Sequence, residues 1–252
     1  MHCRHALALL LAWALALVSA PALANHMAAE LVPEGPAASG QPLTLALHFT
    51  PQPGWHGYWS NPGDAGYGMD LKWHLPEGWK AGEPQYPVPQ ELRIGGLMNH
   101  VYEAEYAVLV PVSVSPGAAA GPTPIALDAN WLACTREVCV PEKATLTAVV
   151  RAAGARDPRF DKWRAAIPAL LPERAAFDLT ADELRLAIPL PASLALQNPH
   201  VFVEQTDLVD YAAPQVFRRK GDTLIAEIPR KGLAKSAERL GGILKLDDSG
   251  QG

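Results

Sequence analysis

Apolar and polar side chains alternate in short segments along the first part of the chain, from residue 43 onward. The segments are Leu43-Leu45-Leu47, Leu71-Trp73-Leu75, Val108-Val110-Val112, Ile125-Leu127-Ala129-Trp131 and Leu146-Ala148-Val150. A period of two is typical of half-buried antiparallel strands. Proline, glycine and asparagine separate the segments, as at residues 51–54 and 61–64. This part is therefore predicted to be all-β, with turns between its strands.

The period changes between residues 152 and 172. Apolar side chains recur there at helical spacing after Asp157-Pro158, at Phe160, Trp163, Ile167, Leu170 and Leu171. This pattern predicts a helix that links two parts of the chain. Alternation then returns at Leu184-Leu186-Ile188, at Val201-Val203, and on both sides of Lys220-Gly221-Asp222. We expect a β domain over residues 25–151, a linker helix over 152–172 and a second, smaller β domain over 173–252.

The first 24 residues have the pattern of a secretory signal peptide. A basic start containing Arg4 precedes an apolar run from residue 6 to residue 20, and Ala22-Leu23-Ala24 is a small-x-small triplet. The run is shorter than the roughly 20 residues that span a bilayer. We therefore expect cleavage after Ala24, export to the periplasm and no membrane insertion of the mature chain. Cleavage would leave 20 basic and 26 acidic residues, a net charge of −6, which does not favour nucleic acid as a partner.

The exported chain would keep two cysteines, Cys134 and Cys139. Disulfides form readily in exported proteins, and a disulfide needs Cα atoms within about 4.4–6.8 Å. The chain must therefore reverse between the two cysteines if they bond. The four intervening residues, 135–138, are a common hairpin length, so the spacing predicts a β-hairpin whose register is fixed by the cysteine pair.

That register can be checked against the polarity of the two strands. On one face it pairs Leu127 with Leu146, Ile125 with Ala148 and Ala129 with Ala144; on the other it pairs Asp128 with Thr145, Asn130 with Lys143 and Leu132 with Pro141. The first face is apolar, and the cysteines lie at the end of the second. We expect both sulfurs near solvent or under a loop. Arg136 would favour a thiolate there, whereas Glu137 and Glu142 would oppose it.

The spacing alone leaves the role of the pair open. A structural disulfide is common in secreted proteins. However, a closed loop of six residues contributes only about 2 kcal/mol in the chain-entropy model. A chain of this length can also bury a core without such a bond. Both arguments favour an exchangeable bond over a structural one.

Three segments in order carry more information than the cysteine spacing does. They are GWHGYWSNPGD (54–64), GGLMNHVYE (95–103) and WLACTREVCVPE (131–142). Together they resemble the N-terminal periplasmic domain of the thiol:disulfide interchange proteins, the DsbD and ScsB (suppressor of copper sensitivity) group. The similarity is closest to the ScsB-like branch and runs from about residue 31 to residue 246, including residues 210–215.

The resemblance implies an immunoglobulin-like antiparallel sandwich with Cys134 and Cys139 as its redox pair. The pair would take electrons from a membrane-embedded domain and pass them to periplasmic proteins, without a cofactor. The implied cap over the pair consists of Gly95, Gly96, Leu97, Met98, Asn99 and His100, and His56 and Tyr58 would lie nearby on another strand. Relatives continue into transmembrane helices, so we expect a chain ending at Gly252 to receive electrons from another protein, such as a membrane thiol reductase, or from none.

Two other functions stay open from the sequence alone. A copper-binding or copper-tolerance module could use the soft ligands Cys134, Cys139, Met98 and His100, with His56 as a further candidate, although no dense Met or His run is present. An interaction domain with an inert disulfide is the other. No hydrolase or nucleotide-binding motif stands out. We expect thiol-disulfide exchange between protein partners, and the sequence leaves open whether the chain acts as an enzyme.

Overall fold

The computed structural model describes residues 25–38, 40–115, 121–231, 236–248 and 252, so the predicted signal peptide lies outside the described residues. The first part of the described chain contains the strands β1 (Met27–Pro33), β2 (Pro42–Pro51), β3 (Gly57–Gly63), β4 (Asp70–His74), β5 (Lys80–Ala81), β6 (Gln90–Ile94), β7 (Leu97–Tyr102), β8 (Tyr106–Ser113), β9 (Thr123–Cys134) and β10 (Cys139–Val150). It is followed by α1 (Arg159–Ala165), β11 (Ala176–Leu179), β12 (Glu183–Pro189), β13 (His200–Val203), β14 (Val216–Lys220), β15 (Thr223–Pro229) and β16 (Gly242–Lys245).

The strands before residue 151 form antiparallel sheets with the orders β1-β2-β8-β5, β10-β9-β4 and β3-β7-β6. The first two sheets share the main hydrophobic core, in which Leu45 and Leu47 of β2 lie in one cluster with Leu127 and Trp131 of β9. The predicted all-β antiparallel fold is confirmed, and the arrangement is consistent with an immunoglobulin-like sandwich.

The helix α1 covers the outer face of the first sheet. Phe160 and Trp163 are buried against Val32, Ala46 and Leu109, which alternate with the core-facing residues of their strands. The helix is thus packed on the sandwich along one side. In the described part of the chain, no helix is both long and apolar enough to cross a membrane.

This helix is shorter than the sequence pattern predicts. It ends at Ala165, and Leu170, which was expected on its apolar face, is 97% exposed. Pro168 supplies the reason, because a proline disfavours the helical conformation of the preceding residue and has no N–H to donate. The apolar residues beyond Ile167 therefore recur at helical spacing without forming a helix.

The chain after the helix forms two further antiparallel sheets, with the orders β11-β12-β15-β14 and β13-β16. Leu184 and Leu186 of β12 pack with Leu224 and Ile228 of β15 in a second hydrophobic core. The predicted hairpin around residue 221 is present, since Lys220 pairs with Thr223 across a two-residue turn. We call strands β11–β16, together with the loops that connect them, the C-terminal sheets.

Candidate functional site

The two cysteines lie at the tip of the β9–β10 hairpin. Cys134 ends β9, Cys139 begins β10, and the two residues are paired in register and joined by a disulfide with Cα atoms 4.1 Å apart. Leu127 is opposite Leu146 in the same ladder. The predicted register is therefore confirmed along the whole hairpin.

The side chain of Thr135 organises the loop between the cysteines. Its Oγ1 accepts hydrogen bonds from the backbone N–H groups of Glu137 and Val138, both at 3.1 Å. The backbone N–H of Thr135 donates to the carbonyl oxygen of Val138 at 2.8 Å. The turn is thus closed by its own residues, which holds the cysteines opposite each other.

The two cysteines differ in their exposure to solvent. Cys134 is fully buried in a small apolar cluster with Tyr58, Leu92 and Leu132, whereas Cys139 is exposed. A thiolate approaching from outside therefore meets Cys139. If it attacks there, the Cys134 sulfur is the leaving group.

His56 lies on the other side of Cys134. The two residues form an isolated antiparallel bridge, with His56 N donating to Cys134 O at 2.8 Å and Cys134 N donating to His56 O at 3.0 Å. The imidazole is buried and stands edge-on to the Tyr58 ring, with centroids 5.4 Å apart. Burial, with a smaller contribution from the positive charge of Arg136, lowers the pKa of His56 to about 4.

Glu142 was expected to oppose a thiolate at the cysteines, but it does not lie beside the sulfurs. It is opposite Trp131 in the hairpin, on the core face, whereas the cysteines are on the other face. Its carboxylate is buried and accepts hydrogen bonds from Trp131 Nε1 at 3.0 Å, from Met27 N at 3.3 Å and from His26 N. Glu142 thus ties the start of β1 to the back of the cysteine hairpin.

The segment expected to be a cap loop is instead the tip of a tight hairpin. Gly95 and Gly96 connect β6 to β7 as a two-residue turn in which Ile94 pairs with Leu97. Both glycines have positive φ, 58° and 89°, a conformation that favours glycine and suits the twist of a two-residue hairpin. Residues from Leu97 onward are strand residues.

The two faces of this β6–β7 hairpin have different partners. Leu92, Ile94 and Val101 share one face and lie in the cluster that contains Cys134. By strand alternation Leu97 is on that same face at the tip, where it is 46% exposed. Alternation places Met98 on the opposite face, so the two apolar residues of the expected cap cannot both cover the sulfurs.

The opposite face of the hairpin packs against the C-terminal sheets. Met98 is buried in their core, and His100 has its ring edge-on to Phe202 and to Tyr211, at centroid distances of 5.0 and 5.3 Å. His100 Nδ1 is 2.9 Å from the carbonyl oxygen of Asn61. Burial is the main cause that lowers the pKa of His100 to about 4.

Two of the ligands considered for copper, Met98 and His100, are consequently separated from Cys134 by the β6–β7 hairpin, whereas His56 is paired with Cys134. Met98 and His100 lie on the face that packs against the C-terminal sheets, and Cys134 packs against the other face. Asn99, also expected in the cap, is buried and donates from its amide to the carbonyl oxygens of Leu92 and Leu97. In the ranges that the structure describes, no group of three or more His, Cys, Asp or Glu side chains could hold a metal ion.

Two ion pairs and a hydrogen bond also attach the β6–β7 hairpin to the C-terminal sheets. Glu91 is 3.1 Å from His200 Nδ1 and 3.0 Å from Lys245 Nζ, and Arg93 donates to the carbonyl oxygen of Ala212 at 2.8 Å. The hydrogen bond from His200, together with Lys245, lowers the pKa of Glu91 to about 2 against the opposing effect of burial. The carboxylate is therefore stabilised in its charged form.

This depressed pKa predicts an acid-sensitive contact. Because the folded pKa is below the ordinary value of 4.5, the stabilisation is present above pH 4.5 and is lost as the pH falls towards about 2. A Glu91→Gln variant should therefore lose less stability over this range than the wild type does. Urea unfolding at pH 5, 4 and 3 measures the difference, with Glu103→Gln as a control at an exposed carboxylate just after β7. Parallel losses in Glu91→Gln and the wild type would contradict the prediction.

Comparison with known proteins agrees with this geometry. The family described as "Thiol:disulfide interchange protein DsbD, N-terminal" matches residues 28–151. Among solved structures, the N-terminal periplasmic domain of ScsB from Proteus mirabilis matches with a TM-score of 0.65 at 15% identity, covering 89% of this chain and 90% of that chain. At this identity the likeness shows a shared fold. No curated protein matches the sequence.

Proposed function

Through residues 28–151 the chain belongs to the DsbD N-terminal family of thiol:disulfide interchange proteins, and on this premise we propose that it exchanges disulfides with protein partners through Cys134 and Cys139. The observation that carries the proposal is the asymmetric disulfide at the hairpin tip, with one cysteine exposed and the other buried. A structural disulfide needs no accessible sulfur. An exchangeable one needs a sulfur that a partner thiolate can reach.

The exchange follows from this asymmetry. A partner thiolate attacks the Cys139 sulfur and forms a mixed disulfide, while the old S–S bond breaks and its electron pair leaves on the Cys134 sulfur. A second thiol of the partner then attacks the mixed disulfide, so the partner is oxidised and Cys134 and Cys139 are both reduced. In the reverse direction, Cys139 attacks the disulfide of a second partner and Cys134 resolves the intermediate.

The partners are redox proteins of the same compartment. The signal-peptide pattern of residues 1–24 and the periplasmic origin of the ScsB domain both support the periplasm as that compartment. A membrane thiol reductase is the electron donor that the family relationship favours. Copper binding has no comparable support, because Met98 and His100 pack against the C-terminal sheets.

The exposed tip of the β6–β7 hairpin limits access to the pair. Leu97 extends the apolar face formed by Leu92 and Ile94, which packs at Cys134, and we assign the shielding role to this face. The ion pairs of Glu91 and the hydrogen bond of Arg93 with the C-terminal sheets hold the β6–β7 hairpin in this position. In this proposal the C-terminal sheets position the cap.

Leu97→Ala is accordingly expected to speed reduction of the disulfide by glutathione several-fold, because truncation removes apolar cover from the sulfurs. Met98→Leu is the matched control, since it changes a neighbouring side chain of similar volume on the opposite face. Stopped reactions analysed by thiol mass-tagging give the rates. A reduction rate of Leu97→Ala equal to that of the wild type would contradict the shielding role of Leu97.

The proposed exchange itself can be tested with purified components. The oxidised chain is mixed with equimolar reduced thioredoxin, and the free thiols on each protein are counted by mass-tagging over time. The proposal predicts that the chain gains thiols from thioredoxin within minutes, because a pair more oxidising than thioredoxin, at about −270 mV, accepts its electrons. A variant with both cysteines replaced by alanine is the control. If the folded wild-type protein keeps its disulfide in the presence of reduced thioredoxin and of dithiothreitol, the bond is structural.

A further inference from the structure

Cys134 is flanked on both sides within its sheet. Cys139 is its partner on one side, and His56 is its partner on the other through two backbone hydrogen bonds of 2.8 and 3.0 Å. Directly opposed residues of an antiparallel pair project their side chains to the same face, with Cβ atoms about 4.5–5.5 Å apart. The Cβ atom that carries the imidazole of His56 therefore lies next to the Cβ atom that carries the buried sulfur of Cys134.

The imidazole has an unused polar atom at this place. His56 Nε2 is buried and has no hydrogen-bond partner among the residues that the structure describes. Tyr58 packs edge-on against the ring and also lies in the apolar cluster of Cys134, so the same aromatic side chain neighbours both groups. Buried polar atoms are rarely left without a partner. The disulfide-bonded state thus leaves a hydrogen bond of His56 unmade.

Burial keeps the ring of His56 neutral, and the groups that face it add no negative charge. Arg136 contributes a positive charge, and Tyr58 and the cysteine pair carry none in the disulfide state. With the pKa of His56 at about 4, the ring at neutral pH has one N–H to donate and no charge of its own. Such a ring can stabilise an anion by a hydrogen bond without giving up its proton.

We propose that His56 is a positioning residue for the Cys134 sulfur, to which its Nε2–H donates a hydrogen bond once the disulfide is opened. The inference rests on the proposed exchange reaction. When a partner thiolate bonds to the Cys139 sulfur, the S–S electron pair leaves on Cys134 and creates a thiolate in an apolar cluster. Burial disfavours that charge, and a hydrogen bond to the charged form offsets this effect. His56 thereby makes Cys134 a better leaving group.

The thiol pKa of Cys134 tests this role without any partner protein. In a Cys139→Ser background, His56→Phe fills the site without a donor, whereas His56→Gln keeps a side-chain N–H. Thiolate absorbance measured against pH should show a Cys134 pKa raised by about one unit in the Phe variant, a tenfold change in the ionisation equilibrium. The Gln variant should lie closer to the wild-type histidine. A Phe variant with native circular dichroism and an unchanged Cys134 pKa would overturn the proposal.

A second measurement needs no substitution at residue 56. The nitrogen chemical shift of His56 Nε2 is compared between the oxidised and the reduced wild-type protein. The proposal expects a change upon reduction, because the hydrogen bond forms only then; identical shifts in both states would refute it. Neither measurement depends on thioredoxin, so a failure of protein-to-protein exchange and a failure of the His56 interaction are separately visible.

Discussion

Cys134→Ser should leave a readily alkylated thiol at Cys139, whereas Cys139→Ser should leave a thiol at Cys134 that iodoacetamide reaches far more slowly. The reason is burial, because Cys134 is enclosed by Tyr58, Leu92 and Leu132 and reacts only when the local structure opens. We expect a difference of about a hundredfold, which corresponds to a local opening free energy of about 2.7 kcal/mol.

Second-order alkylation rates of the two variants, measured at several pH values, separate access from thiol ionisation. The same reaction in 6 M guanidinium chloride is the control, since both thiols are then exposed and should react at similar rates. Equal rates in the folded variants would contradict the assignment of Cys139 as the attacked sulfur. Faster alkylation of Cys134 than of Cys139 would indicate that Cys134 is the attacked sulfur.

Glu142→Ala should destabilise the fold by about 3 kcal/mol, since two buried donors and one partly buried donor lose their acceptor and each unpaired buried donor costs about 1–3 kcal/mol. The donors are Trp131 Nε1 and the backbone N–H groups of His26 and Met27. Glu142→Gln should cost less, because one acceptor oxygen remains. Urea unfolding measures both changes in the free energy of unfolding.

Glu137→Ala is the matched control for this effect. Glu137 is an exposed carboxylate at the tip of the same hairpin, where a substitution is expected to stay within about 0.5 kcal/mol. Glu142 is on the face away from the cysteines, so Glu142→Ala should also leave the alkylation rate of Cys139 in the Cys134→Ser background unchanged. A loss below about 0.5 kcal/mol in Glu142→Ala would show that the buried carboxylate contributes little to stability.

The sequence was sufficient to predict the cysteine hairpin, because alternation and the cysteine spacing give the same register. The same register also predicts on which face Glu142 lies, although its expected effect on a thiolate placed it near the cysteines. In that register the cysteine face carries Leu132 and Pro141, so Glu142, one residue further, must share the core face with Trp131. The same alternation places Leu97 and Met98 on opposite faces of the β6–β7 hairpin. The sequence therefore already implied that only one of the two side chains can face the cysteine pair.

The contacts between distant segments could not be predicted in this way. Asn61 is buried and donates to the carbonyl oxygen of Val203 at 2.7 Å and to the hydroxyl oxygen of Tyr211 at 3.0 Å. These residues are more than 140 positions away in sequence, and no local pattern of a strand encodes such a partner. The attachment of β3 to the C-terminal sheets through Asn61 is therefore a result of the structure alone.

The reduction potential of the Cys134–Cys139 pair tests the central claim most directly. The folded protein is equilibrated with mixtures of reduced and oxidised dithiothreitol, and the fraction of free thiols is determined by mass-tagging. An exchangeable bond is expected to have a potential distinctly above about −300 mV, within the range of thiol-disulfide exchange proteins. A potential below about −300 mV would mark a structural disulfide and contradict the proposed function.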